Sequence, residues 1–530
     1  MSPSAYARLG ALLIVVVLAV ACTAAPAQQI ATSTAESQAA AAAPEAASTL
    51  KTGGTLNLSF GDDFDTFDPF YDVTNGQFKP LFFEAPIRIA PDATFQPWLA
   101  ESWEESADGL KVTLHLRQGV KFHNGRELTA DDVVWSVDRA RNQDLGHHLG
   151  DRFKTAVGAK ALDKYTVEID YSEITHSKLD GIARLYIFPQ EAADTIATVP
   201  VGTGPFKFVE WAPGDALVAE RFADYWQQGK PYLDKIVIKP IPDIQARLLN
   251  LKASSIDLLV GIPLADKQIV AKEPGIVVKE APVGLGFNAF LVNVNQPPFD
   301  NVKVRQALNY AVDREKLAET AFHGAAETTQ LPVAPTSWIY PADLANTYTY
   351  DPQKAKALLA EAGFPDGFET QILVRGTSGP LLDQAQVFQQ DLAAVGIKAE
   401  LLPTELPQYW PLLFDSKFAI VSHATGDSSV DPSGIFEGAA CCRPFRNFFG
   451  IEKDTTWFPE YRDTIFAARA ELDKTKRAEL YHRALEIWQE QGWTIPTTWN
   501  QTSYALKDFV KDFQTDYEGN LVLDGTWLDK

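Results

Sequence analysis

The segment FDNVKVRQALNYAV (residues 299–312) decides the fold class of this chain. Its apolar side chains Val304, Ala307, Leu308 and Ala311 recur at the three- and four-residue spacing that places them on one face of a helix. This spacing predicts an amphipathic helix whose apolar face covers a core.

Strand-like runs and further helices lie on both sides of this segment. Residues 55–60 and 112–116 alternate apolar and polar side chains at period two, as half-buried strands do. The same reasoning predicts strands at 369–374 and 398–402, and helices at 303–312, 383–394 and 474–489. This mixture over residues 51–530 predicts α/β lobes with mixed sheets.

Two helix starts carry recognisable capping residues. Thr129 precedes two acidic residues and is expected to cap a helix, because acids in the first turn complement the helix dipole. Asp351 is expected to cap a second helix, with Pro352 at its first position and Gly363 at its end.

The amino-acid composition and net charge limit the classes of protein to which the chain can belong. The chain has 530 residues, 46% of them hydrophobic, with 12 Trp, which is typical of a folded globular protein. Its formal net charge is −22. A protein this acidic binds nucleic acid poorly and is repelled by anionic lipid head groups, so attachment to a membrane would need an anchor.

The first 22 residues indicate secretion. Arg8 precedes an apolar run, residues 9–21, which is too short for the about 20 helical residues that span a bilayer. Small residues then lead to Cys22, and this boundary resembles a bacterial lipobox, in which the thiol is lipidated. Ala19 stands where that pattern prefers Leu. The alternative is ordinary cleavage nearby with Cys22 incidental; either way residues 1–22 are predicted to be a signal peptide for export.

Residues 23–50 consist mainly of Ala, Ser, Thr, Gln and Pro. A segment of this composition cannot bury enough apolar surface to fold. It is predicted to be a disordered tether before a domain that begins near Lys51.

Cys441 and Cys442 are the remaining cysteines. Adjacent cysteines rarely form a disulfide with each other, because the ring that such a disulfide closes strains the peptide bond between them. A free thiol pair, a strained disulfide and a soft metal site stay open, with structural thiols expected.

Several motifs, in order along the chain, together resemble one family. They are LAESW at 99–103, LHLRQGVKF at 114–122, LTADDVVW at 128–135, GTGPF at 202–206, RFADYW at 221–226, FDNVKVRQALNYAV at 299–312 and YDPQKAKALLAEAG at 350–363. The chain resembles the extracytoplasmic solute-binding proteins of ABC importers, in the peptide/nickel-binding class (family 5), and is most similar to dipeptide-binding proteins.

The resemblance implies a two-lobed periplasmic-binding-protein fold of type II. The first lobe would comprise residues 51–286, completed by 500–530, and the second would comprise 287–499. A hinge would let the two lobes close on a ligand.

The resemblance also implies two ligand-binding residues. Arg375 matches the arginine that grips the ligand carboxylate in dipeptide binders, a task suited to the planar guanidinium fork. Asp427 matches the carboxylate that binds the ligand α-amino group. The structural alternatives are a solvated loop arginine and a turn or capping aspartate, and Asp431 competes for the amine role, although it is expected to cap the next helix.

The cleft region departs from the family pattern at one wall. Ala424 stands where dipeptide binders usually have Trp, and the loop to Asp431 is one residue longer, so strict dipeptide selectivity is in doubt. In the loop after the first strand, Tyr71, Thr74 and Asn75 are expected to contact ligand.

Other motifs have mainly structural interpretations. The segment at 202–206 lacks the Lys of a phosphate-binding loop and is expected to be a turn. Trp410, Trp457 and Trp499 are expected to pack in cores rather than stack on ligand. The neighbouring His147 and His148 do not by themselves form a metal site, so neither a bound metal nor a cofactor is predicted.

The leading functional hypothesis is a monomeric, lipid-anchored receptor that captures short peptides and delivers them to an ABC permease, without catalysis. The same receptor class binding another solute, such as an oligosaccharide or chelated nickel, is the alternative. A secreted hydrolase is disfavoured because the chain has no G-x-S-x-G or H-E-x-x-H motif. An adhesin or chaperone would instead bind peptides broadly and weakly.

Overall fold

The computed structural model describes residues 50–71, 76–147, 149–282, 286–377, 379–425, 429–440, 451 and 456–530. Outside these ranges lie the predicted signal peptide, the predicted tether up to Thr49, and the adjacent Cys441 and Cys442. Thr74, Asn75, His148 and Asp427 also lie outside them.

The largest sheet combines strands from both ends of the described chain. Its seven strands follow the order β12-β18-β11-β1-β10-β9-β8, and the central β1 pairs in parallel with β10 and β11. The C-terminal β18 pairs antiparallel with β11 and β12. The strands are β1 (Thr55–Phe60), β8 (Phe206–Ala212), β9 (Ala216–Arg221), β10 (Lys235–Pro240), β11 (Leu258–Val260), β12 (Ile276–Glu280) and β18 (Ser503–Lys507).

A four-stranded antiparallel sheet is inserted in the sequence between β1 and β8. Its order is β4-β5-β7-β6, and its strands are β4 (Ala100–Glu105), β5 (Lys111–Leu116), β6 (Ala156–Asp163) and β7 (Thr166–Tyr171). Three two-stranded ladders complete the strands of this part: β2 (Ile87–Ile89) with β3 (Phe95–Pro97), β19 (Val510–Lys511) with β22 (Trp527–Leu528), and β20 (Gln514–Thr515) with β21 (Leu521–Val522).

The second large sheet has five strands in the order β15-β14-β16-β13-β17. β14 pairs in parallel with β15 and β16, whereas β13 pairs antiparallel with β16 and β17. The strands are β13 (Phe287–Val292), β14 (Glu369–Arg375), β15 (Lys398–Thr404), β16 (Ile420–Thr425) and β17 (Thr494–Trp499). Both large sheets are mixed, which confirms the predicted α/β class.

Helices cover the sheets. Those before β13 are α1 (Lys79–Phe82), α2 (Ala130–Arg141), α3 (Lys178–Ile182), α4 (Ile244–Lys252) and α5 (Leu264–Val270). Those after β13 are α6 (Val302–Ala311), α7 (Arg314–Ala321), α8 (Pro352–Glu361), α9 (Pro380–Ala394), α10 (Leu406–Phe414), α11 (Ser433–Ala440), α12 (Phe458–Ala470) and α13 (Lys474–Gln491). Among the described residues, no helix has both the length and the apolar composition needed to cross a bilayer.

The predicted helix starts are confirmed. Thr129 and Asp132 form a reciprocal capping box at the start of α2. The Asp351 carboxylate accepts a hydrogen bond from the backbone N–H of Lys354 at 2.9 Å. The four apolar positions that predicted α6 are all buried, so its amphipathic face covers a core as expected.

The apolar cores separate along the chain. The first core draws its buried residues from 56–281 and 504–528, and the second and third cores draw theirs from 287–499. Within the described residues, Val430 packs against the first core from the later segment, and Leu264 packs against the third core from the earlier one. The contact between these two halves of the molecule therefore involves little shared apolar packing.

A buried carboxylate ties the motifs GTGPF and RFADYW to Trp98, the residue that precedes LAESW. Glu84 is 4% exposed and accepts four hydrogen bonds through its two carboxylate oxygens. The donors are the indoles of Trp98 and Trp226, both at 2.9 Å, the hydroxyl of Tyr225 at 2.7 Å and the hydroxyl of Thr203 at 2.9 Å. Burial raises the pKa of Glu84 to about 7, although these hydrogen bonds oppose the rise.

Glu84→Gln is expected to lower the free energy of unfolding by about 1–3 kcal/mol, because the amide NH2 places two hydrogens against the buried donors, whereas the carboxyl group carries at most one. The native carboxyl group holds its proton up to about pH 7, above its ordinary value of 4.5. Its contribution to stability therefore falls as pH rises from 4.5 through 7. Urea unfolding of both proteins across this range should show the deficit of the variant shrinking as pH rises.

Glu191→Gln is the matched control, because Glu191 is an exposed carboxylate that pairs with Arg126. It should change stability by less than about 1 kcal/mol. A difference between Glu84→Gln and wild type that stays constant with pH would contradict the assignment of the titration to Glu84.

Candidate functional site

Arg375 is the last residue of β14. β14 runs parallel to β16, with Val374 opposite Ser422, so the carboxyl ends of the two strands lie at the same edge of the sheet. β16 ends at Thr425, two residues before Asp427. Sheet topology thus places Arg375 at the edge from which the Asp427 segment continues, an edge where ligands of α/β proteins commonly bind.

The guanidinium of Arg375 lies over an aromatic ring. Its Cζ is 5.2 Å from the ring centroid of Trp410 on α10, and the side chain is half-buried. Among the described residues, no carboxylate lies within ion-pair distance of Arg375. The planar donor fork therefore has no acidic partner in that part of the chain, and a carboxylate from outside would fit it.

Aromatic and polar groups of α10 and β16 support this edge. The hydroxyl of Tyr409 lies 2.6 Å from Nδ1 of His423, and the two rings are stacked at 5.9 Å. Trp410 in turn packs edge-on against His423. Tyr409 and His423 could not be predicted from the sequence, since an isolated Tyr and an isolated His carry no signal of their pairing before the helix and the strand are placed together.

A cavity of about 480 Å3 lies where the chain crosses between the two large sheets. Ala424 lines it, as do the buried aromatics Phe322 and Trp499. The remaining lining residues are uncharged: Leu264, Ala281, Pro282, Gly286, Asn288, Pro380, Leu381, Asn500, Gln501 and Thr502. Among the described residues, the wall of this cavity beside Ala424 contains no charged side chain.

Tyr71 is held by the loop that follows α2. Its hydroxyl donates to the carbonyl of Leu145 at 2.9 Å, and its ring packs edge-on against His147. The loop that carries Tyr71 is anchored by Asp68, whose carboxylate oxygens accept hydrogen bonds of 3.0 and 2.5 Å from Arg139. Among the described residues, no contact joins Tyr71 to Arg375.

The segment Ser429–Asp431 follows Asp427 and is fixed by charged groups. The hydroxyl of Ser429 accepts a hydrogen bond from Arg152 at 2.8 Å. The backbone N–H groups of Val430 and Asp431 donate to the two carboxylate oxygens of Asp180, at 2.9 and 3.1 Å. Nothing in the sequence pointed to Asp180 or Arg152, because they lie some 250 residues before the segment they contact.

Asp431 has a structural partner of its own. Its carboxylate accepts a hydrogen bond of 2.6 Å from Arg477 and another of 3.0 Å from the backbone N–H of Ser433, the first residue of α11. The predicted capping role of Asp431 is therefore confirmed. A carboxylate engaged in this way is a poor candidate for binding a ligand amine.

The remaining candidates are mainly structural. Trp457 stacks on Trp493 at 4.8 Å within the second core. His147 is buried, with Nε2 3.0 Å from the carbonyl of Arg139. A Cβ on Gly202 would lie 2.1 Å from the carbonyl oxygen of Phe82, so this position requires glycine for close backbone packing. Within the described ranges, no three His, Cys, Asp or Glu side chains are grouped to hold a metal ion.

Comparison with known proteins gives a consistent assignment. The model of the family "Bacterial extracellular solute-binding proteins, family 5 Middle" matches residues 94–446. Heme-binding protein A of Haemophilus influenzae is 36% identical over 450 residues, which cover 79% of this chain and 81% of that protein. The dipeptide-binding protein of Escherichia coli K12 is 31% identical over 454 residues, with 79% and 84% covered.

A solved structure supports the fold. The periplasmic binding protein DppA from Helicobacter pylori, in complex with the peptide STSA, superimposes with a TM-score of 0.75 at 27% identity, covering 91% of this chain and 99% of that one. The predicted type II periplasmic-binding-protein fold and the family resemblance are both confirmed. Proteins of this family are extracytoplasmic receptors for peptides and related solutes that serve ABC transporters. This chain belongs to the bacterial extracellular solute-binding proteins of family 5.

Proposed function

We propose that this protein captures short peptides with free termini and delivers them to an ABC permease. The guanidinium of Arg375 binds the peptide carboxylate, and Asp427 binds the α-ammonium group. The observation that carries this proposal is the position of Arg375, at the carboxyl edge shared by β14 and β16, without an acidic partner among the described residues. A site that pairs both ends of a zwitterion rejects ligands lacking either charge, because its own charge is then left unpaired.

Two of the similar proteins support a peptide ligand. One carries the name dipeptide-binding protein, and the solved Helicobacter structure holds the peptide STSA. The cavity beside Ala424, near the end of β16, supports room for peptides longer than two residues among the proposed ligands. The described residues of its wall are uncharged and suit neutral side chains, since a charged group there would be buried without a partner among them.

The proposal includes two lobes, residues 51–286 with 500–530 and residues 287–499. Their separate cores and separate sheets support this division, as does the return of the chain in β18 to the first sheet. Ligand between the lobes would favour the closed arrangement that the permease recognises. Tyr71, Thr74 and Asn75 belong to the proposed wall of the first lobe.

Attachment to the membrane is proposed through a lipid on Cys22, with residues 23–50 as a tether. The lipobox-like boundary supports this anchor, and the acidic charge of −22 argues against attachment through lipid head groups. The receptor is proposed to act as a monomer outside the cytoplasm, in the periplasm or at the cell surface, anchored to the membrane by this lipid.

A second candidate ligand is haem, because the heme-binding relative is 36% identical over most of its length. The uncharged, partly aromatic cavity wall favours an apolar or planar group there. Oligosaccharides and chelated nickel remain alternatives within the same receptor class.

Unblocked peptides of two to five residues are expected to raise the melting temperature of the purified protein, because a ligand that binds only the native state stabilises it. N-acetylated or C-amidated versions of the same peptides should give smaller shifts at equal concentration. Haem, maltotriose and nickel–histidine serve as competing probes in the same thermal-shift screen. A shift with one of these and none with any peptide would overturn the peptide assignment and keep the receptor class.

Arg375→Ala is expected to weaken binding of free-carboxylate peptides by about 10- to 100-fold, since a hydrogen bond to a charged group contributes about 1.5–3 kcal/mol. Binding of the matching peptide amides should change much less. Isothermal titration calorimetry with the free-carboxylate peptide and with its amide gives the ratio of the two affinities for each protein. Arg462→Ala is the matched control, because that surface guanidinium pairs with Asp463 far from the sheet edge in sequence. An unchanged ratio of the two affinities would show that Arg375 does not bind the carboxylate.

Asp427→Asn is expected to lose affinity for peptides with a free amine, by about 10- to 100-fold, and to spare N-acetylated peptides. The reason is that the amide keeps the size of the side chain but removes the negative charge that pairs with ammonium. Asp463→Asn, an exposed aspartate on α12, is the control. Equal losses for acetylated and unblocked peptides would exclude Asp427 from the amine role.

A further inference from the structure

The Asp180 carboxylate joins the two proposed lobes. It belongs to α3 of the first lobe and is 0% exposed. Its oxygens accept hydrogen bonds from the backbone N–H groups of Val430 and Asp431 in the second lobe, at 2.9 and 3.1 Å. One buried anion therefore receives two donors that belong to the opposite lobe.

The first lobe contributes the remaining partners of this carboxylate. Arg184 donates to Asp180 Oδ1 at 2.9 Å and also to Glu518 at 2.9 Å. Burial raises the pKa of Asp180, and Arg184, Arg152 and the two backbone N–H groups oppose this rise. A buried carboxylate is costly unless its oxygens are satisfied, so the donors of the second lobe offset part of the cost.

Other contacts between the lobes on this side are also polar. Glu173 pairs with Arg469, and Nε2 of His176 lies 2.8 Å from the carbonyl of Glu471. Val430 is the described residue of the second lobe that packs against the first core. Polar contacts of this kind separate at lower cost than a shared apolar core, because water can replace each hydrogen bond.

The contacted segment begins two residues after Asp427. Arg152 holds its first residue, Ser429, from the first lobe, and Arg477 holds Asp431 from the second. The loop that carries the proposed amine-binding carboxylate is thus fixed at its C-terminal side by groups of both lobes.

We propose that Asp180 is a positioning residue that docks the segment Ser429–Asp431 when the lobes are together and thereby couples peptide capture to lobe closure. This inference rests on the proposed function for its ligand. Asp180 does not touch the peptide. It slows peptide release by stabilising the closed arrangement, and it does not select between free and blocked termini.

The test compares Asp180→Asn with wild type in the full chain. The probe is the unblocked peptide that gives the largest shift in the thermal screen, with its N-acetylated and C-amidated forms. Stopped-flow tryptophan fluorescence should show a dissociation rate about 10- to 100-fold faster in the variant, with the association rate changed less than threefold. The affinity ratios between free and blocked peptides should equal those of wild type.

Asp132→Asn is the matched control. Asp132 is a buried carboxylate of the same lobe that pairs with Arg126 and accepts from the backbone N–H of Thr129, and both of these partners lie in that lobe. It should lower stability without changing the dissociation rate. A dissociation rate of Asp180→Asn within twofold of wild type, with a stability loss like that of Asp132→Asn, would overturn the inference.

Hydrogen exchange separates this inference from the proposed function. Amide exchange of the peptide covering residues 429–436 should be at least tenfold faster in Asp180→Asn than in wild type and unchanged in Asp132→Asn, with or without ligand. If no peptide binds wild type, the proposed function fails, and this exchange still decides whether Asp180 docks the segment. If Asp180→Asn does not fold by circular dichroism, Arg152→Gln, which removes the hydrogen bond to Ser429, should accelerate the same exchange; unchanged exchange would overturn the docking.

Discussion

Parallel pairing of β14 with β16 is the constraint on which the proposed site depends. Parallel strands bring their carboxyl ends to one edge, so residues about 50 positions apart in sequence emerge side by side. Arg375 closes one strand, and the segment leading to Asp427 follows the other. On the other side of β16, the antiparallel β13 and β17 lie next to the two points where the chain crosses between the large sheets. The sheet that carries Arg375 at its edge therefore also borders this crossing.

The two halves of the molecule meet through hydrogen bonds and charge more than through apolar surface. A core that ran through both halves would make them one rigid body, whereas a few polar contacts allow two arrangements of similar free energy. Asp180 illustrates this kind of contact, because its oxygens accept hydrogen bonds from Arg184 on one side and from the backbone of residues 430 and 431 on the other. A binding protein needs such a balance, since a ligand shifts an equilibrium only by its differential affinity for the two states.

Local sequence signals predicted the elements well, and contacts between distant segments were out of reach. The apolar spacing of α6, the cap at Asp351 and the alternation in β1 each depend on neighbours within a few residues. Arg375 was found only through the family resemblance, since an arginine after a strand is common. Asp180 accepts hydrogen bonds from residues 430 and 431, and Glu84 accepts them from four donors. These contacts join segments of the chain that no sequence periodicity relates to each other.

The composition of the cavity wall around Ala424 has a consequence for the range of solutes that this protein could take up. The described part of this wall carries no charge and would discriminate by size and shape, while the proposed charged groups at the sheet edge would address features that every unblocked peptide shares. Peptides of very different sequence would then compete for one receptor mainly by their abundance. Such a receptor suits scavenging from a proteolysed mixture, where total uptake of amino nitrogen matters more than the identity of any one molecule.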